Sequence, residues 1–204
     1  MRILVVGATG RTGRHVVNDA LLRGHQVTAV VRDAKDFAAS PDLQVVVADP
    51  CDAGDLRSIL VDHEVVISCL GQRSHGDRHI LEKSAGAMHA ATRQCARKRY
   101  IVISQGLHFP SRNPLIFILK LLLASHVADS AAMEAKVRES DLDWTIVRPP
   151  RLVDGGRARG YATSVGTRPA GPASMQRIDL AAFLLDEAQT PNHLRQIVGI
   201  TAAA

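Results

Sequence analysis

Three glycines placed directly after a short hydrophobic strand restrict this chain more than any other feature. Arg2–Val6 reads as a β-strand, and Gly7-Ala8-Thr9-Gly10-Arg11-Thr12-Gly13 follows it at once. Thr12–Arg23 then sets Val16, Val17, Ala20 and Leu21 on one helical face, and Gly24 closes that helix. A phosphate bound at such a turn needs backbone N–H donors, with no Cβ obstructing its approach. Gly7 permits the tight turn, Gly10 the contact with a pyrophosphate, and Gly13 the packing of helix on strand. The helix N-terminus then faces the anion. An ordinary strand-to-helix turn needs one glycine rather than three, so the spacing points to a dinucleotide.

Strand-like and helix-like segments alternate through the rest of the chain. Strands are expected at Gln26–Val31, Leu43–Ala48, Val65–Leu70, Tyr100–Ser104, Trp144–Val147 and Gln196–Ile200. Helices are expected near Ala53–Val61, Arg78–Ala96, Asp129–Ser140 and Asp179–Gln189. Aromatics are only 3% of the chain, and the apolar mass is Val, Ile, Leu and Ala, as parallel strands covered by helices require. Right-handed crossovers then give an α/β fold of the Rossmann type: a doubly wound parallel sheet with helices on both faces. Residues 1–204 form a single NAD(P)-binding domain in this reading. The stretch 149–178, rich in Gly, Pro and Arg, breaks the rhythm as a small late loop insertion on the substrate side, because ligands in this architecture bind beyond the carboxyl ends of the strands.

The cofactor's phosphorylation state is read at the end of the second strand. NAD-dependent folds usually place an acid there to hold the ribose hydroxyls. Here the position is Arg32, and Arg11 in the glycine loop is placed to reach the same corner. Two guanidiniums suit a 2′-phosphate, so NADP(H) is the expected cofactor. Asp33 either turns back to the ribose or caps the next helix.

Composition narrows the partners. The net charge of +5 is mild, and the densest basic run, Arg97-Lys98-Arg99, falls where a helix should end and its dipole favours cations. No nucleic-acid partner is expected. Cys51, Cys69 and Cys95 are scattered, which suggests reduced thiols in the cytoplasm, and no Cys/His spacing calls for a metal. With strand and loop starting at residue 2, no signal peptide is expected. Pro114–Ala124 is too short to span a bilayer, and no membrane partner is expected. Its residues are apolar nearly all round, so it is expected in the core, with a dimer face or a flavin-side lid as alternatives. The chain is expected to be a monomer or homodimer.

Several segments together resemble a known family: GATGRTG, VVRD after the second strand, VVVADPCDAGDL, CLGQRS, MEAKVRESDLDWTIVRPPRL and GYATSVGTRPAGPASMQRIDLAAFLL. They are similar to the atypical short-chain dehydrogenase/reductases of the NAD(P)H-binding, NmrA-like type, nearest the flavin reductase/biliverdin-IXβ reductase branch. The resemblance implies cofactor contacts at Gly7, Thr9, Gly10, Arg11, Thr12, Gly13 and Arg32. It adds Asp49 near the adenine, Leu70 and Gly71 beside the ribose, and Ser104, Gln105 and Pro149 near the nicotinamide. Pro150 and Arg151 follow on the same side. Gln105 and Arg151 take the places of a serine and a histidine that border the substrate pocket in that branch.

The Tyr-x-x-x-Lys pair of typical short-chain dehydrogenases is missing: Ser104 follows Tyr100 by four residues, and Val165 follows Tyr161. Ser104 and His108 are the candidate catalytic groups, and Gln105, His108 and Arg151 the candidate substrate contacts. Arg148, Arg151, Arg157, Arg159 and Arg168 form a loose set able to meet an anionic substrate such as a flavin phosphate. The expected function is an NADPH-dependent reductase that passes hydride to a flavin or quinone-like acceptor. The alternative is a regulatory protein that senses NAD(P)H without turnover.

Overall fold

The computed structural model describes residues 1–203 apart from residues 39, 73–77, 94–97 and 156. Ten strands and six helices are named among them: β1 (Arg2–Val6), α1 (Arg11–Leu22), β2 (Gln26–Val31), β3 (Leu43–Val47), α2 (Ala53–Leu60), β4 (Val65–Ser68), α3 (Ile80–Thr92), β5 (Arg99–Ile103), α4 (Pro114–Leu122), α5 (Ala124–Glu139), β6 (Asp143–Arg148), β7 (Arg151–Val153), β8 (Tyr161–Val165), β9 (Ser174–Gln176), α6 (Arg177–Gln189) and β10 (Gln196–Ala202). Eight strands form one sheet in the order β3-β2-β1-β4-β5-β6-β10-β8. Seven run parallel, and β8 lies antiparallel on β10 at the edge.

Period-two alternation divides the apolar residues between the two faces. Ile3, Val5, Val65, Ile67 and Ile101 pack under Val16, Val17 and Ala20 of α1 and Leu180, Ala181 and Leu184 of α6. Leu4, Val6, Val66, Val102 and Ile146 face the other way. They pack against Leu56 and Leu60 of α2, Met88 of α3, and Met133 and Val137 of α5. This is the doubly wound architecture expected. Helix α1 ends as its sequence indicates: Gly24 takes φ +74°, its N–H donates to Leu21 O, and His25 N–H reaches back to Ala20 O.

Three expectations are corrected. The stretch 149–178 is not a plain loop, because it supplies β8 to the main sheet and pairs β7 with β9 in a second, two-stranded one. Arg99 does not close a helix: it opens β5, is 9% exposed, and pairs with Glu187 at 2.7 Å. Lys98 does cap carbonyls, but those of Val61 and His63 beyond α2. Arg97 and Cys95 fall outside the described residues. The third correction is α4, which lies outside both helix layers and meets the body mainly through α5. Its large side chains, Leu115 and Phe117 among them, are exposed. Among the described residues no single helix is long and apolar enough to cross a membrane.

Candidate functional site

Sheet order fixes where the cleft opens. Strand β1 lies between β2 and β4, so successive crossovers leave it in opposite directions and a crevice forms at its carboxyl end. A cavity of about 490 Å³ occupies that crevice. Gly7, Thr9, Gly10, Arg11, Thr12, Arg32, Leu70 and Gly71, all candidate cofactor contacts, line it. A second cavity of about 520 Å³ shares Arg32, Ala48 and Pro50 with the first and adds Asp49. The two together make an elongated site.

The loop geometry fits a dinucleotide. Gly7 has φ +74°, and a Cβ there would lie 2.9 Å from the backbone of Cys69 and Leu70. A Cβ on Gly13 would sit 2.2 Å from Gly7 O, so Gly13 serves helix packing and does not line the cavity. Gly10 caps α1 with no side-chain hydrogen bond and no acid in the first turn. The N–H groups opening α1 are therefore available to an anion in the cleft. At the 2′ corner, Asp33 is committed elsewhere: its Oδ1 accepts from Lys35 N and caps the following turn. Arg32 is then the charged side chain of the β2 end that lines the cleft. Arg11 leans the other way, its Nη1 3.3 Å from Asp154 Oδ2 in the insertion.

Other lining residues were not foreseen. Leu152 and Arg177 reach the cavity from β7 and the start of α6, joined by Cys69, Gln72 and Ile103. Arg177 is 9% exposed and pairs with Asp154 at 2.8 Å. Those two arginines hold the Asp154 carboxyl below its ordinary range, Arg177 most of all. Asp179, two residues after Arg177, accepts from Arg159 N and Gly160 N and so anchors the insertion to α6. Desolvation pushes the Cys69 thiol up to about 12, which disfavours the thiolate.

The acceptor side is built differently. Ser104 follows β5 and its Oγ donates to Glu134 Oε1 at 2.6 Å. Arg148 grips the same carboxylate with two bonds of 2.9 and 2.6 Å, and its guanidinium stacks 5.0 Å above the Phe109 ring. Gln105 donates to Ser130 Oγ and His126 O, and the His108 ring shares a hydrogen bond with Ser130 Oγ at 2.8 Å. Burial holds His108 below its ordinary pKa, with Arg148 and Lys120 adding to that and Glu134 opposing it. The structure therefore gathers Ser104, Gln105 and His108 around α5, and none of them lines either dinucleotide cavity. Pro149 meets this group through its carbonyl, which accepts from Gly106 N. Arg151, Arg157, Arg159 and Arg168 are exposed, while Arg148 is spent on Glu134.

Neither tyrosine is placed as a proton donor. Tyr100 is 1% exposed, and burial pushes its hydroxyl up to about 12. Tyr161 donates to Asp186 at 2.5 Å. His79, Glu82 and Asp129 offer ligand atoms within 4.8 Å of one another. The Asp129 oxygens, however, accept from Leu81 N, Glu82 N and Gln72 Nε2, which cap α3 and tie down Gln72.

Comparison with known proteins bears on this geometry. A family model described as NAD(P)H-binding matches residues 7–191. An uncharacterized chloroplastic protein of Arabidopsis thaliana, At2g34460, is 31% identical over 166 residues, covering 74% of this chain and 59% of its own length. The chain thus spans well under two thirds of that relative. The structure of SP1627 from Streptococcus pneumoniae TIGR4, a candidate NADH-flavin reductase, superposes with a TM-score of 0.82 at 20% identity over 100% of both chains. ChuY, an anaerobillin reductase from Escherichia coli O157:H7, gives 0.82 at 21% identity over 99% of this chain and 97% of its own. At such identities these structures show a shared fold.

Proposed function

This chain belongs to the NAD(P)H-binding family, and from that premise we propose that it is an NADPH-dependent reductase passing hydride to a flavin or quinone-like acceptor. The observation that carries the reading is the asymmetry of the cleft. Its dinucleotide half is fully equipped, while neither tyrosine can act as the proton donor of an alcohol dehydrogenase. A bound nicotinamide would supply the hydride. The chain's own residues would hold the cofactor: the N–H groups opening α1 bind the pyrophosphate, Arg32 takes the 2′-phosphate, and Leu70 and Gly71 border the ribose. Gly7 lets the loop pack directly on the Cys69 and Leu70 backbone, where a Cβ would lie 2.9 Å away.

A flavin or quinone suits what remains. Its reduction draws a proton from water once hydride has arrived, so it suffers little from the lack of a positioned acid. Proximity and exclusion of water are then the main contributions of the fold. The name borne by SP1627 supports a flavin acceptor, and that borne by ChuY supports reductase chemistry more broadly. The preference for NADPH is argued from Arg32 and the committed Asp33, independently of either neighbour.

One observation favours the second reading, a protein that senses NAD(P)H without turnover. Ser104, the expected catalytic hydroxyl, donates to Glu134 inside a buried ion pair. A spectrophotometric screen of NADPH oxidation against FMN, riboflavin, quinones and a dye separates the two. Oxidation with at least one of them is expected of the reductase. Tight NADPH binding with no oxidation of any would assign the sensor role.

A further inference from the structure

Helix α4 is the part of the molecule that its own fold leaves uncovered. Leu115, Phe117, Ile118, Leu121 and Leu122 are each between 52% and 77% exposed. A helix apolar all round is normally buried against something. At about 100° per residue, the exposed apolar side chains from Phe117 through Ile118 and Leu122 to Leu119 fill an arc of about 200°. The remaining face, with Ile116, Lys120 and Leu123, is half-buried toward the body. Helices α4 and α5 meet at 88°, so α4 stands out as a ridge.

Three features say what covers it. A flat protein surface covers one side of a ridge, and the stripe a helix buries against a single neighbour is roughly 100° wide. Lipid closes round a ridge on every exposed side. Charge agrees: from Pro110 through Ala128 the chain carries Arg112, Lys120 and His126 and no Asp or Glu. Length excludes a span. Nine residues rise only about 13 Å, under half of a hydrocarbon core. Nor does α5 complete a hairpin, since its Asp129, Glu134 and Val137 are buried in the body.

We propose that α4 is an interfacial helix that seats the protein on an anionic phospholipid surface. The apolar ridge lies at the boundary of headgroups and acyl chains, and the exposed Arg112 just before α4 meets the lipid phosphates. This departs from the sequence expectation of no membrane partner, and it stands whether or not the chain proves to be a reductase. Because α4 follows β5, it springs from the carboxyl end of the sheet, where the dinucleotide cleft also opens.

The test is cosedimentation of the full chain with phosphatidylglycerol/phosphatidylcholine vesicles and with phosphatidylcholine vesicles alone. Wild type is expected to sediment with the first and far less with the second, and to be released by salt. The double variant Phe117→Glu/Leu121→Glu is expected to lose vesicle binding by about tenfold or more, the effect of taking two large apolar groups out of the interface. Its melting temperature and NADPH affinity should match wild type, which separates lost docking from lost folding. No sedimentation of wild type with either vesicle, or equal sedimentation of the variant, would overturn the proposal. A concentration-dependent dimer in light scattering, dissociated by the same variant and indifferent to vesicles, would also overturn it and assign the ridge to a second copy of the chain.

Discussion

On one side of the cleft, residues 7–13 offer backbone N–H groups, and Arg32 stands at the rim beyond β2. On the other side, Ser104, Glu134 and Arg148 are locked together by side chains from three elements, and Gln105 and His108 converge on Ser130. The backbone N–H groups of the first half are ones that no substitution removes without disturbing the chain. The second fixes its own shape, and its polar groups are largely satisfied before a substrate arrives. The glycine-loop half thus offers backbone donors to the cleft, and the group around α5 is a rigid wall whose polar atoms are largely paired with one another.

Breaking the backbone side should have the largest effect. A side chain at Gly13 meets Gly7 O at 2.2 Å and Ala8 at 2.8 Å, all main-chain atoms. Gly13→Val is expected to destabilise by more than about 4 kcal/mol, beyond the usual range for point changes, read as a collapse of the thermal midpoint. Next comes the wall. Glu134 and Arg148 have side chains 6% and 13% exposed, so Glu134→Ala strands a buried guanidinium. The expected loss in urea unfolding is about 3–5 kcal/mol.

His108→Ala probes whether the wall has any chemistry. Its ring leans on Ser130 and lines neither cavity. Flavin reduction is expected to fall by less than about tenfold, or about 1.4 kcal/mol in barrier. A larger loss would make His108 a true acid and restore a carbonyl-reductase reading.

The smallest effect concerns pH. His63 Nδ1 donates to Ile59 O, so Nε2 is the acceptor for Thr28 Oγ1, each at 2.7 Å. Burial is the main cause holding His63 below its ordinary value. The unfolded chain therefore binds the extra proton first, and stability present at neutral pH is lost as pH falls below about 6.5. His25 and His108 are shifted in the same direction. His63→Gln should make the acid limb of a stability–pH curve shallower without abolishing it. An unchanged limb would place the effect on the other two.

What could be read from the sequence follows the same division. The glycine loop acts within seven residues, so its spacing alone shows its geometry. The near-continuous apolar runs of β1 and β4 showed strands covered on both faces. Ser104 and Glu134 lie 30 residues apart, and nothing in their local patterns announces that they meet. Arg177 was equally hidden, because its role depends on where the insertion lays Asp154. Helix α4 shows the limit most plainly. An all-apolar pattern says that a helix avoids water, and it does not say whether the shelter lies inside the molecule. In β7 and β9, three residues each are too few for any period to show.

If Arg32 at the β2 end recognises a 2′-phosphate, its loss must weaken one cofactor and spare the other. Calorimetric titration of wild type and Arg32→Ala with NADPH and with NADH measures this. Wild type is expected to bind NADPH more tightly, and the variant to lose about 1.5–3 kcal/mol for NADPH and almost nothing for NADH. Equal losses for the two cofactors, or none for either, would contradict that recognition.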